Sequence, residues 1–247
     1  MKTIQSIDRA VLVMEYISKN QNCRLIDMSN YFNLKKSTLH GILSTLKYHG
    51  LINKDSVSTK YTLGSKVFEL GKLYEDNLSI KKIAKPYLIK LVQDFSETVH
   101  LGVLNNLTVL YIDKEESPHS LRMTSKVGTT DPLLTTAIGK AILAYLPDDK
   151  LNYIVKTSKS NELTDYSISE KSRLLDELSI IRKKGFSLDL EELELGLNCI
   201  STPIKNSINE SIAAISISIP SIRFNKIILA NMRKELLIIS NEISQKL

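Results

Sequence analysis

Residues 25–63 read LIDMSNYFNLKKSTLHGILSTLKYHGLINKDSVSTKYTL. Leu25, Ile26, Met28, Tyr31 and Phe32 make a short amphipathic segment that stops at Asn33. A second segment opens at Lys35 and carries Leu39, Ile42, Leu43 and Leu46 at helical spacing. Only a residue or two separates them, so the two helices must cross steeply, which is the helix-turn-helix arrangement. His49-Gly50 is a helix stop, and Asn53-Lys54-Asp55-Ser56 is rich in turn formers. Lys60-Tyr61-Thr62-Leu63 then reads as a return strand. That hairpin is the expected wing of a winged helix.

The residue types suit DNA. Between residues 35 and 60, Lys35, Lys36, Lys47, Lys54 and Lys60 face one acid, Asp55. Lys35, Lys36, Ser37 and Thr38 open the second helix, where free N–H groups and short hydroxyls match phosphate oxygens. His40, Ser44 and Thr45 lie further along and suit a major groove. The plainer alternative is a helical hairpin with a solvated lysine face.

Composition narrows the class. The chain has 247 residues, enough for two modest domains. Its apolar runs fall short of the roughly 20 residues a membrane span needs. Asp8 and Glu15 interrupt the N-terminal stretch, so no signal peptide is expected and the cytoplasm is the expected compartment. Cys23 and Cys199 stand far apart without CxxC spacing, which argues against a disulfide scaffold or a zinc site. His40, His49, His100 and His119 show no metal-ligand spacing either, and no metal or cofactor is expected. Of the net charge of +6, residues 1–77 carry +4 (11 Lys+Arg against 7 Asp+Glu) and the longer remainder +2 (22 against 20). The excess sits in the shorter N-terminal part, as a nucleic-acid footprint should.

Ahead of the quoted stretch, residues 4–19 predict a helix with a broad apolar face and Ser6 as N-cap. Beyond it, residues 64–79 predict a helix with Val67, Leu70, Leu73 and Tyr74 on one stripe. The stripe packs on its own domain or meets the same helix of a second copy; the two-fold symmetry of operators favours the second copy. Asn77-Leu78-Ser79 reads as the joint. Residues 80–95 are helical, 99–103 and 107–112 form a hairpin around Asn105-Asn106, and 121–125 read as a third strand. Residues 137–146 form a helix stopped by Pro147-Asp148-Asp149, and 169–184 a long helix capped by Ser169. Strands at 186–190, 198–204 and 213–219 precede a last helix over 225–245. The expected class is α+β.

Several clusters invite a chemical reading. In Ile215-Ser216-Ile217-Ser218-Ile219 the isoleucines share one strand face and the serines the other. Alternation alone sends the serines to solvent. Asp189, Gly196 and Cys199 suit a small-molecule wall, or equally an acidic loop and a small core thiol. No histidine stands near Cys199 in sequence, which weakens a catalytic alternative. A filled, dry region around Ser216 and Cys199 would mark a protein-binding adaptor instead. Residues 128–140 fail the GxxxxGK(S/T) pattern, with Leu134 and Ala141 at the decisive positions. Thr135 and Thr136 suit a ligand oxygen or a helix cap. Glu191, Glu192 and Glu194 read as a solvated acidic run.

These pieces together resemble the isocitrate-lyase-regulator (IclR) family of bacterial transcription factors. The resemblance rests on LKKSTLHGILSTL (34–46) and YTLG (61–64), then on GKAILA (139–144), GFSLDLEE (185–192), GLNCISTPI (196–204) and AAISISIP (213–220), in that order over nearly the whole chain. It implies a winged helix-turn-helix domain (1–63), a linker helix (64–79) and a GAF-like α+β effector-binding domain (80–247), in a dimer or dimer of dimers. It implies operator DNA and a small-molecule effector as partners, control of a catabolic operon, and no enzymatic activity. DNA contacts are expected from Lys35, Lys36, Ser37, Thr38, His40, Ser44, Lys54 and Lys60. The effector pocket is expected to use Met123, Asp131, Ala137, Ile138, Gly139, Asp189, Leu197, Cys199, Ser216 and Ser218, which turns the two serines toward the ligand.

Two positions depart from the family pattern. Gly41 replaces a common arginine of the recognition helix, at about 1 kcal/mol of helix stability. Asp131 stands where an apolar residue usually precedes Pro132. With Asp189 it places two acids near the pocket, paired with Arg122 or Lys126 if paired at all, and the expected effector is hydroxyl-rich or neutral.

Overall fold

The computed structural model describes residues 3–20, 23–123, 125–158 and 162–247. It divides into a unit up to Leu78 and a unit from Ser79.

The first unit is built around one turn. Helix α1 (Gln5–Lys19) precedes α2 (Leu25–Tyr31) and α3 (Lys36–Tyr48). Asn33, in the left-handed region at φ 49°, reverses the chain between α2 and α3, a conformation asparagine tolerates. Ser29 and Leu34 close the turn reciprocally: Leu34 N–H donates to Ser29 O at 3.0 Å and Ser29 Oγ donates to Leu34 O at 2.7 Å. Val13, Ile17, Met28, Leu39, Leu43 and Leu46 meet beneath it, with Cys23, Ile52 and Tyr61. Each such aliphatic side chain stabilises the unit by about 1.5–3 kcal/mol. Ser6 lies inside α1, not at its cap, because Ile4 is the N-cap and its carbonyl already accepts from Ile7 N and Asp8 N. Strands β1 (Ile52–Lys54) and β2 (Tyr61–Leu63) pair antiparallel as the wing. Asp55 Oδ1 organises the wing tip by accepting from Val57 N, Ser58 N and Ser58 Oγ. Helix α4 (Ser65–Asp76) starts at Gly64, where a Cβ would lie 2.0 Å from Gly50 O, so only glycine fits. No residue of α4 is buried.

The second unit is a six-stranded sheet. Its strands are β3 (Thr98–Asn105), β4 (Thr108–Glu115), β5 (Thr130–Pro132), β6 (Ser187–Leu190), β7 (Leu197–Lys205) and β8 (Ser211–Pro220), in spatial order β5-β4-β3-β8-β7-β6. Every neighbouring pair is antiparallel. The helices are α5 (Ser79–Phe95), α6 (Ala137–Leu143), α7 (Asp148–Thr157), α8 (Lys171–Lys184) and α9 (Lys226–Ser244). Period-two alternation splits the sheet into two faces. Val99, Leu101, Ile200, Ile215 and Ile217 share the face on which Thr202 Oγ1 donates to Leu236 O of α9. His100, Asp189, Cys199, Ser201, Ser216 and Ser218 share the other, where Ser187 Oγ donates to Ala137 O of α6. All seven residues of α6 are buried.

Three expected elements of the second unit need correction. Residues 121–123 and 125 are not a strand; Thr124 lies outside the described residues. Their carbonyls are satisfied by side chains: Lys114 Nζ donates to Met123 O and Ser125 O, and Arg223 to Leu121 O. Helix α6 ends at Leu143, short of the expected 146, and Pro147-Asp148-Asp149 starts α7 instead, with both acids in its first turn, where the helix dipole favours them. Helix α8 begins at Lys171 after Glu170, two residues beyond Ser169.

Candidate nucleic-acid face and effector cleft

In α3 the apolar positions Leu39, Leu43 and Leu46 are buried in the first unit's core. That orientation leaves Lys35, Lys36, Ser37, Thr38, His40, Gly41, Ser44, Thr45 and Tyr48 exposed. Lys54 is exposed and Lys60 half-buried on the wing. Three side chains of the helix are already engaged: Thr45 Oγ1 donates to Gly41 O at 3.0 Å, and Ser44 Oγ lies 3.4 Å from His40 Nδ1. Tyr48, 86% exposed, extends this surface and is absent from the sequence-based set. Its spacing from Gly41 and Ser44 was the available signal.

The second unit carries a cleft of about 850 Å³. Two loops make its walls. One holds Arg122, Met123, Ser125 and Thr129; the other runs from Leu193 to Leu197. Asp131 and the Pro220–Ile222 segment complete it. Of the ten expected effector residues, Met123, Asp131 and Leu197 therefore stand on the wall.

Ala137 and Cys199 pack directly behind that wall, in one cluster with Leu197 and Met123. Asp189 pairs with Cys199 in the β6–β7 register, and Cys199 with Ser218 in the β7–β8 register. Cys199 Sγ donates to Ser218 Oγ at 3.2 Å. Ser218 Oγ lies 3.4 Å from His100 Nδ1, and His100 Nε2 lies 2.5 Å from Ser125 Oγ on the wall. A chain of polar contacts thus runs from the wall to the buried thiol. The remaining expected residues do not line the cleft. Ile138 packs with Val109 and Tyr111, and Gly139 lies where a Cβ would be 1.8 Å from Leu133 O. Ser216 is buried between Ser201 and His100 on the neighbouring strands.

The electrostatics of this region follow from burial. Asp189 is 1% exposed; burial raises its carboxyl from 3.8 to about 7, against two backbone donors and Lys140. Its Oδ1 accepts from Glu192 N and Leu193 N, while its buried Oδ2 has no hydrogen-bond partner among the described residues. Burial lowers His100 to about 3, with Lys114 adding to the effect, so the ring is neutral. Burial also pushes the Cys199 thiol well up, the opposite of what an activated nucleophile requires. Asp131 pairs with neither Arg122 nor Lys126: its Oδ2 accepts from Tyr111 OH at 2.8 Å, while Arg122 donates to Glu116. Glu192 is buried, not solvated, and forms an ion pair with the equally buried Lys140. Nothing local in sequence marks Tyr111, His100, Ser125 or the Lys140–Glu192 pair, because each acquires its role from a strand or helix far along the chain.

No helix among the described residues is long and apolar enough to cross a membrane. Residues 72–245 match the domain described as bacterial transcriptional regulator IclR C-terminal, and residues 6–56 match the IclR helix-turn-helix domain. The chain is 33% identical over 237 residues to the HTH-type transcriptional regulator XynR of Escherichia coli, covering 96% of this chain and 94% of that one. It is 32% identical over 224 residues to the regulator KdgR of the same organism, covering 91% and 85%. The crystal structure of the Thermotoga maritima IclR superposes with a TM-score of 0.76 at 28% identity, over 99% of both chains. Matched along both units, with a helix-turn-helix in the first and an α+β sheet domain in the second, this chain belongs to the IclR family of bacterial transcriptional regulators.

Proposed function

We propose that the protein is a ligand-responsive, sequence-specific regulator of a catabolic operon. The second unit binds a small metabolite, and occupancy changes the affinity of the first unit for operator DNA. The observation that carries this reading is the cleft with a partly polar floor. Its wall connects through Leu197 and Met123 to Cys199, Ser218 and the Asp189 oxygen that has no partner among the described residues. A solute there shifts the DNA-binding equilibrium only by its differential affinity for two arrangements of the protein. Lys35, Lys36, Ser37, Thr38, His40, Ser44, Lys54 and Lys60 are the DNA contacts of this reading. Residues 64–79 are its linker, and Phe68, Leu70, Leu73 and Tyr74, all exposed on α4, support a second copy as partner.

The effector class follows from the acids. Asp131 and Glu194 on the wall, with Asp189 behind it, favour a hydroxyl-rich or neutral solute over a simple keto acid. Footprinting of the protein on the DNA upstream of its own gene, with and without a metabolite panel, tests the whole reading. A protected site that a hydroxylated solute weakens or strengthens is the expected result. Failure to bind any upstream fragment in dilute buffer sinks it. In a thermal-shift screen, strongest stabilisation by small carboxylates sinks the effector class alone.

A further inference from the structure

At 3.6 residues per turn, Gly41 stands about 200° round α3 from the buried Leu39. It therefore sits at the centre of the face turned away from the core. Ser37, Ser44, Thr45 and Tyr48 lie four before and three, four and seven after it on that same stripe, all exposed. Lys36, His40 and Lys47 gather on one flank. The outward stripe thus carries no cation or amide able to make a bidentate contact with a purine edge. Its middle is bare: a Cβ built on Gly41 meets nothing within 4 Å. Beside this gap Thr45 has its hydroxyl turned onto Gly41 O at 3.0 Å, which leaves its methyl group for the groove.

We propose that Gly41 is a specificity-determining position that admits the 5-methyl group of a thymine. The methyl seats on the exposed backbone at Gly41 against the Thr45 methyl, and the Ser37 and Ser44 hydroxyls bracket it. The glycine lets α3 approach the base pairs more closely than any side chain at its centre would allow. The inference rests on the reading of α3 as the recognition helix.

The test begins with a site selected by the full-length protein from a randomised duplex library, remade with uracil replacing each thymine in turn. Uracil at one thymine per half-site weakens binding about fourfold, the worth of one buried methyl at about 0.8 kcal/mol. In Gly41→Ala the added Cβ fills the gap, and the uracil penalty at that position falls below twofold. Gly41→Arg, reselected, moves the preferred base there to guanine. A wild-type protein that binds its site but tolerates uracil everywhere within twofold overturns the proposal and leaves the DNA-binding reading standing. So does a Gly41→Ala variant that keeps the full penalty. A protein that selects no site from the library overturns both.

Discussion

Asp189→Asn isolates the energetics of the cleft floor. The substitution keeps an oxygen where Oδ1 accepts from Glu192 N at 2.8 Å and Leu193 N at 3.3 Å. It places an amide where Oδ2 has no partner among the described residues, so none of their hydrogen bonds is lost. What it removes is a titration. The folded carboxyl protonates at about 7 and the unfolded one at 3.8. Below the lower value both states hold the proton. Between the two only the folded chain holds it, so each rising pH unit costs about 1.4 kcal/mol of stability. Above about 7 neither state holds it and the loss is complete, on the order of 4 kcal/mol. About 3 kcal/mol of this falls between pH 5 and 8. His100 works in the other direction: its ring falls from 6.5 to about 3 on folding, and stability declines as pH drops through that window. The wild-type curve mixes the two. The difference between Asp189→Asn and wild type, from urea unfolding monitored on the second unit, isolates the carboxyl. That difference should move in favour of the variant by about 3 kcal/mol from pH 5 to pH 8. A change under about 1 kcal/mol would show that the carboxyl titrates as a solvated group and refute the reasoning.

Three further outcomes follow from contacts already described. Gly139→Ala drives a Cβ to 1.8 Å from Leu133 O, a backbone atom that cannot step aside, and should destabilise the second unit by at least about 3 kcal/mol or yield no soluble protein. Lys140→Met leaves Glu192 buried and uncompensated, which should cost about 3–5 kcal/mol in urea unfolding, whereas Lys140→Met with Glu192→Leu should cost less than the single change. For DNA, Lys36→Ala should flatten the slope of log affinity against log salt by about 0.9 if the lysine neutralises one phosphate; an unchanged slope would remove it from the interface.

The helix-turn-helix was legible because its core is local: Leu39, Leu43 and Leu46 declare their face by spacing alone, and Asn33 marks the turn. The sheet was legible for the same reason at period two. What failed were the features fixed by distant partners. The alternation of residues 121–125 reads as a strand, but their carbonyls are taken by Lys114 and Arg223 and no ladder forms. Glu192 sits in a run of acids that reads as solvated, until Lys140, 52 residues away, draws it into the interior. The cleft was legible only in part. Residues one strand register apart, such as Asp189, Cys199 and Ser218, come together as a period-two reading allows. The wall contributed by Leu193, Glu194 and Leu195 comes from a loop with no periodic signal at all.

The same strand alternation that builds the core on one face also sets what the cleft can recognise on the other. A thiol and a hydroxyl bonded to each other can be buried at little net expense, so Cys199 and Ser218 form a floor without charge. With Asp189 protonated, the charges that act on it, Lys140 and Glu192, form an ion pair and cancel. With Asp189 ionised, the floor carries one net negative charge behind a wall that presents Asp131 and Glu194 and whose Arg122 is already engaged by Glu116. An anionic solute should therefore lose affinity as pH rises through about 7, the value at which this carboxyl ionises. A neutral polyol should behave differently. Its hydroxyls can donate to Asp131, held in place by Tyr111 OH at 2.8 Å, and its binding should change little over the same range. Calorimetric titration of one ligand of each kind at pH 6 and pH 8 decides the matter. Equal losses for both would show that the floor's charge does not reach the cleft, and the acids would then say nothing about the effector.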